Sequence, residues 1–253
     1  MPYPQHPHKL LPVLLSALLV LTGALGTLVQ GQGGQAEPPQ ITPFAKELNE
    51  SFADPDTQQW IDRFERDGRD TYDKRFEILD LMDLKPGMNV ADIGAGSGFF
   101  SRLMAQKVAP DGIVYAGDIS ESFVDHIAKT SREMGLENVK AVLGDPKSPR
   151  LAENSVDVVF VSHTYHHFEF PYDMLAEIKK ALRPDGLFLL VDAERITGRT
   201  SEGRMRMVRA GKGTFTDEII NAGFRLEEEV DLFEMEYILK FRHRTIGEAP
   251  TGM

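Results

Sequence analysis

The stretch Val90-Ala91-Asp92-Ile93-Gly94-Ala95-Gly96-Ser97-Gly98-Phe99-Phe100-Ser101 decides how this chain is read. Residues 88–94 are a short apolar run that enters three alternating glycines. The following FFSRLMAQKVA (99–109) has helical apolar spacing until Pro110-Asp111-Gly112 stops it. The pattern is a buried strand turning directly into a helix. Glycines at such a turn let the backbone bend sharply and approach a ligand where a Cβ would collide, and the first helical turn offers free N–H groups. The spacing is not the dinucleotide pattern G-x-G-x-x-G, because the third glycine falls one position early. Asp92 would also repel a pyrophosphate, whereas it suits a ligand ammonium. A nicotinamide-dependent oxidoreductase is therefore the weaker alternative.

Working outward, the alternation repeats. GIVYAGD (112–118), VKAVLGD (139–145), VDVVFVS (156–162) and GLFLLVD (186–192) are further apolar runs, with helical spacing over 120–134, 173–182 and 216–222. Upstream, Trp60, Phe64, Tyr72, Phe76 and Leu79 predict two short helices, 57–67 and 69–84, with Trp60 and Phe64 as simple helix-packing neighbours. Downstream, residues 225–242 alternate, with Met235, Tyr237, Leu239 and Phe241 on one face, as a closing hairpin does. Continuous apolar strands separated by helices predict an α/β fold, a doubly wound parallel sheet covered on both faces. Such sheets bind ligands beyond the carboxyl ends of their strands. The chemistry is expected at 92–98, 118–120, 144–146, 162–167 and 192–195.

The first three of those strand ends, in succession, each carry an acid. Asp118 can accept hydrogen bonds from both hydroxyls of a ribose, or cap the next helix in competition with Ser120. Asp145, after Gly144, can accept from an exocyclic adenine amine, or serve as a turn residue before Pro146. Together with Asp92 they describe a nucleoside cradle with room for a cation.

These motifs resemble the class I S-adenosylmethionine-dependent methyltransferases, through VADIGAGSGFFS (90–101), VYAGDIS (114–120), VLGDP (142–146), VDVVFVSHTYHHF (156–168) and ALRPDGLFLLVD (181–192). The resemblance covers residues 60–243 in the family's order. It implies a Rossmann-like sheet of seven strands, mostly parallel, with an antiparallel last strand. It implies S-adenosylmethionine as cofactor, with Asp92, Gly94 and Gly96 along its methionine part, Asp118 on the ribose, Ile119 against the adenine, and Gly144 and Asp145 flanking the adenine. Ala95 and Ser162 complete that wall, and Tyr72, on the approach helix with Arg69 and Arg75, either closes over the methionine end or packs in the core or on the surface. The function expected is methyl transfer to a small or medium acceptor by in-line displacement, with a non-catalytic S-adenosylmethionine or nucleoside binder as the rival.

Ser162-His163-Thr164-Tyr165-His166-His167 follows the fourth strand, beside the expected methyl. An unperturbed imidazole is a ready base at neutral pH, so His163, His166 and His167, in that order, are the catalytic candidates. A metal held by these histidines and Asp192 is a minor alternative, and none is expected. Asp192 and Glu194 end the fifth strand and either shape the acceptor pocket or orient a histidine. Arg204, Arg206 and Arg209 form a basic patch that can hold an anionic acceptor or lie on a solvated face.

The chain has 253 residues, is 42% hydrophobic and contains no cysteine, which excludes disulfides, thiolate metal sites and a cysteine nucleophile. Its net charge of −11 argues against a nucleic-acid partner and against docking on anionic lipid, and favours a small-molecule acceptor. The amino terminus carries Lys9 ahead of an apolar run over 10–29, with small-residue cleavage options at Ala24-Leu25-Gly26 and Gly34-Gln35-Ala36. This predicts a signal peptide or membrane anchor (1–29) and a domain that is exported, periplasmic if the leader is removed. Residues 30–56 read as a flexible linker, 57–243 as the domain and 244–253 as a tail.

Overall fold

Seven strands pair into one sheet: β1 (Val90–Ile93), β2 (Val114–Asp118), β3 (Val139–Leu143), β4 (Val156–Ser162), β5 (Leu182–Ala193), β6 (Phe224–Val230) and β7 (Glu236–His243), in the spatial order β3-β2-β1-β4-β5-β7-β6. The first five run parallel, and β7 lies antiparallel between β5 and β6. This computed structural model describes residues 43–50, 52 and 55–244. The predicted leader (1–29), most of the linker and the tail beyond Arg244 lie outside the described residues.

The helices are α1 (Pro43–Glu50), α2 (Thr57–Phe64), α3 (Asp70–Asp73), α4 (Arg75–Asp80), α5 (Phe99–Val108), α6 (Glu121–Glu133), α7 (Pro171–Ala181), α8 (Glu202–Met207) and α9 (Lys212–Asn221). Side chains alternate across each strand, so neighbouring strand residues feed different cores. Ala91, Ile93, Val159, Val161, Phe188 and Leu190 join one apolar cluster with α7 and α9. Val90, Val158, Phe160, Leu187 and Leu189 join the other, with α4 and α5. Covered on both faces, the central strands have no polar face to show, which is why they read as unbroken apolar runs. The edge strands β3 and β6 keep exposed positions and read less clearly.

Two departures from the sequence reading bear on the site. The linker assigned to 30–56 is interrupted by α1, whose Asn49 side chain donates hydrogen bonds of 2.9 Å to the His167 carbonyl and to Glu169. The folded part thus begins by residue 43, not 57. Pro43 after Thr42 was the available signal, since proline is favoured at the first helical position. The helix predicted over 69–84 is two short helices, α3 and α4, meeting at Lys74, whose φ of −100° leaves the helical region.

Strand order reverses between β1 and β4, whose neighbours β2 and β5 lie on opposite sides. A crevice opens at such a switch point beyond the carboxyl ends of the strands. Here it lies between the turn at Gly94 and the turn at His163.

Candidate active site

One cavity of about 630 Å³ occupies that crevice, a size typical of small-molecule sites. Its first end is made largely of backbone. Gly94 sits at φ +73°, and a Cβ there would lie 2.2 Å from the Thr164 side chain, so only glycine fits. The Gly94 and Ala95 amides both donate to the Gly117 carbonyl, at 2.8 and 2.9 Å, which folds the loop back on β2. Arg102 fixes the loop from behind. It donates to the Ser97 carbonyl at 2.7 Å and forks onto the Glu65 carboxylate at 2.8 and 2.7 Å, tying the end of α2 to α5.

Asp92 lies under the loop, buried, with Ser101 Oγ donating to it at 2.6 Å. Burial, with the charge of Asp118 adding to it, pushes its carboxyl up to about 7, against the bond from Ser101. Asp118 accepts from the Gly96 and Ser120 amides, each at 2.9 Å, and burial raises its carboxyl too. Beside it Ile119 is 43% exposed, an apolar face left open on the cavity wall. Gly144, Asp145 and Ser162 also line the cavity. The Asp145 carboxylate already accepts from the Lys147 amide at 2.9 Å and from Arg150 at 3.2 Å, the arrangement of a turn residue. Those backbone and arginine bonds hold its carboxyl below the ordinary value.

The other end is made of side chains. His166 Nδ1 lies 2.7 Å from Asp192 Oδ1, and the His166 amide donates to the other oxygen at 3.2 Å. Burial pushes the Asp192 carboxyl up, but the charge and hydrogen bond of His166 outweigh it and the net shift is downward. Asp192 is therefore an anion that accepts a hydrogen bond from Nδ1–H, which leaves Nε2 as the free ring nitrogen of this cavity-lining histidine. His167 donates through Nδ1 to Asn49 Oδ1 at 2.9 Å, because the Asn49 amide protons are spent on the His167 carbonyl and Glu169. Burial, and then the charge of His166, pull the His167 imidazole down to about 3. So low a value makes it a poor base near neutral pH. His163 holds φ +51°, and its Nε2 lies 3.1 Å from Glu236 Oε1, at ion-pair distance but out of hydrogen-bond alignment.

Phe52, Trp60 and Phe64 form an aromatic wall opposite the histidines, with ring centroids 4.6 and 5.3 Å apart along the row and Phe52 edge-on to His167 at 5.0 Å. Trp60 and Phe64 therefore do more than pack their own helix. Tyr72 does not reach the cavity wall. It stacks on Phe99 at 5.1 Å with Arg75 over its other side at 4.7 Å, so its expected role over the cofactor is corrected. Arg209 is not free either, since it forks onto Glu218 at 2.7 and 2.6 Å, and Tyr165 donates to the same carboxylate at 2.9 Å. Arg206 pairs along its own helix with Glu202, and Glu194 pairs with Lys212. Of the basic patch only Arg204 lines the cavity, joined by Arg69 and Glu236. Glu236 was missed because it opens an apolar strand opposite Ala193, where nothing in its neighbours marks it. Among the described residues no group of three or more His, Asp or Glu is placed to hold a metal.

Residues 91–190 match the family model for the methyltransferase domain. Over that stretch the chain carries a methyltransferase domain. Over 109 residues the chain is 37% identical to nocamycin O-methyltransferase of Saccharothrix syringae, an alignment covering 43% of this chain and 39% of that protein. The chain spans about half the length of the curated relatives it matches, between 39% and 58%. Among solved structures, an S-adenosylmethionine-dependent methyltransferase from Aquifex aeolicus superposes with a TM-score of 0.66 at 23% identity, covering 74% of this chain and 98% of that one. The [4+2]-cyclase SpnF superposes equally well, at 0.66 and 15% identity over 81% and 98%. Both likenesses speak for the fold alone.

The methyltransferase domain's cofactor is S-adenosylmethionine, and the first end of the cavity fits it. A buried carboxylate lacking a cation (Asp92) suits an ammonium, the positive-φ glycines leave space for the chain, Asp118 carries acceptor oxygens of the kind a ribose would use, and Ile119 offers an apolar face.

Proposed function

We propose that the chain is a methyltransferase acting on a small-molecule acceptor, with S-adenosylmethionine at the glycine end of the cavity and the acceptor at the histidine end. The observation that carries this reading is continuity: Asp92, Asp118 and His166 all open into the same space. S-adenosylmethionine supplies an electrophilic methyl group on a sulfonium sulfur when bound. The protein's part is to orient the acceptor, exclude water and manage one proton. His166 Nε2 takes that proton from the acceptor. Asp192 holds Nδ1–H and stabilises the imidazolium that results, as a buried anion at 2.7 Å must. His167 and Asn49 brace the turn that carries His166. The acidic surface, with its net charge of −11, supports a small acceptor over a nucleic acid.

Calorimetry of the full-length chain with S-adenosylmethionine tests the reading. Binding is expected, weakened about 10- to 100-fold by Asp118→Ala, the worth of one or two hydrogen bonds to a charged group. Equal heats for the two proteins would refute the ribose assignment. We further propose that residues 1–29 export or anchor the domain, supported by Lys9 and the apolar run behind it. Amino-terminal sequencing of exported material tests this, with cleavage near Gly26 or Ala36 supporting it and an intact Met1 in a soluble fraction opposing it.

A further inference from the structure

The histidine end of the cavity carries a charge pattern that methyl transfer does not require. Arg63, Arg66, Arg69 and Arg204 line it, in a protein whose net charge is −11. The acids there are Glu236, Glu169 and Asp70. Glu169 is bonded to Asn49, Asp70 is exposed at the outer rim, and Glu236 is buried. Burial pushes the Glu236 carboxyl up, but His163, Arg69 and Arg204 together hold it below its ordinary value. One carboxylate cannot compensate both Arg69 and Arg204, and Glu236 lies within ion-pair distance of His163 alone, at 3.1 Å.

Arg69 and Arg204 also have unused donors. Each guanidinium has five N–H groups. Arg69 gives one bond, to the Phe64 carbonyl at 3.0 Å, and Arg204 one long bond, to the Met235 carbonyl at 3.4 Å. Neither lies within ion-pair distance of an acid among the described residues. Glu236 Oε2 and His163 Nε2 are likewise buried without a hydrogen-bond partner. Unmatched buried polar atoms on a cavity wall are costly unless a ligand completes them.

We propose that the acceptor is an anion, a carboxylate on a planar apolar body, held by Arg69 and Arg204 against the Phe52–Trp60–Phe64 wall. This rests on the methyltransferase reading and adds the acceptor's class to it. A cationic amine is the rival an aromatic wall suggests. That position is already taken by the protein's own cations: Arg63 sits 4.9 Å over Trp60, and Arg69 sits 5.1 Å over Phe64. With the carboxylate on the arginines, a hydroxyl elsewhere on the acceptor faces Glu236 Oε2 or His166 Nε2.

Trp60 is the sole tryptophan of the chain and lines this end, so its fluorescence reports on the acceptor site. The full-length protein, loaded with S-adenosylhomocysteine, is titrated with 4-hydroxybenzoate, 4-hydroxybenzamide and 4-hydroxybenzylamine. The carboxylate is expected to bind at least about tenfold more tightly than either other probe, the worth of one charge-assisted pair. Arg69→Gln and Arg204→Gln should each erase most of that preference, and Arg206→Gln should keep it. Equal affinities, a preference for the amine, binding of none of the three, or a preference that survives in both variants would overturn the proposal. Should a variant fail to fold, the ranking of the three probes on the unaltered protein still decides. S-adenosylhomocysteine binding is measured first. Its absence sinks the cofactor assignment, whereas its presence without an anion preference sinks only the acceptor class.

Discussion

At the glycine end of the cavity the ligand-facing groups are backbone turns and strand-tip acids, each from one short segment of β1, β2 or β3. At the histidine end they are side chains brought from residue 49 to residue 236, on α1, α2, the turn after β4, α8 and β7. The first end is a by-product of the sheet: once β1 and β2 pair in register, with Ile93 beside Gly117, Gly94, Asp92 and Asp118 are placed. The second depends on a network of side-chain bonds, Asn49 to His167 and Asp192 to His166 among them. A by-product of the sheet can be damaged only by damaging the backbone. A network can be retuned one residue at a time, which suits a fold whose cofactor is constant and whose acceptors differ.

The contrast can be broken at its rigid end by Gly94→Val. Strain at φ +73° and collision with Thr164 together cost about 2–5 kcal/mol. Cofactor binding should vanish and the thermal midpoint should fall, as calorimetry and a melting curve would record. A variant that binds normally would mean that the loop is not the cradle.

At the networked end, His166→Ala should lower kcat about 10²- to 10⁴-fold, the usual contribution of a positioned base. Cofactor affinity should fall far less than kcat, since no hydrogen bond joins His166 to Asp92, Asp118 or the glycine loop among the described residues. Asp192→Asn should leave the fold intact, lower kcat less, and shift the acid limb of the pH–rate profile. An unchanged profile would reduce Asp192 to a structural anchor.

Asp92 sharpens the comparison through pH. Its carboxyl titrates near 7 in the fold, above its ordinary 3.8, so the folded state holds the proton more tightly than the unfolded state does. That contribution to stability is complete below about pH 4 and is lost as pH rises through 7. Asp92→Asn should therefore raise the melting temperature at pH 8, by about 2–4 °C for each kcal/mol recovered. The same change should weaken S-adenosylmethionine binding, and binding to the parent protein should tighten as pH rises through 7. A variant that melts lower at pH 8 would show that the ionised carboxylate is already compensated.

Tyr72→Phe should change cofactor affinity by less than about twofold, within the scatter of substitutions away from a site. A larger loss in the binding titration would restore Tyr72 to the cofactor.

The glycine end of the cavity was legible before any coordinates because its signals are local. A strand, a glycine turn and a helix occupy twelve consecutive residues, and an acid at each strand tip is a one-residue mark. Asp192 was also legible as an orienting residue, because it ends a strand beside the one that carries the histidines. Tyr72 and Arg209 were misplaced for one reason. Helical spacing tells which residues share a face and not which way the helix is turned, and here α3 turns Tyr72 onto Phe99 while Glu218 draws Arg209 inward.

The α/β alternation, the glycine turn after β1 and the acids at the tips of the first three strands of this protein were determined by sequence alone, because apolar periodicity and turn chemistry act over a few residues. The choice among three neighbouring histidines, the aromatic wall and the convergence of Arg69, Arg204 and Glu236 on one cavity were decided only by tertiary structure. Those contacts cross between elements, from 26 positions apart for His166 and Asp192 to 118 for Asn49 and His167, and what each imidazole or carboxylate can do depends on burial and partners that no local pattern encodes.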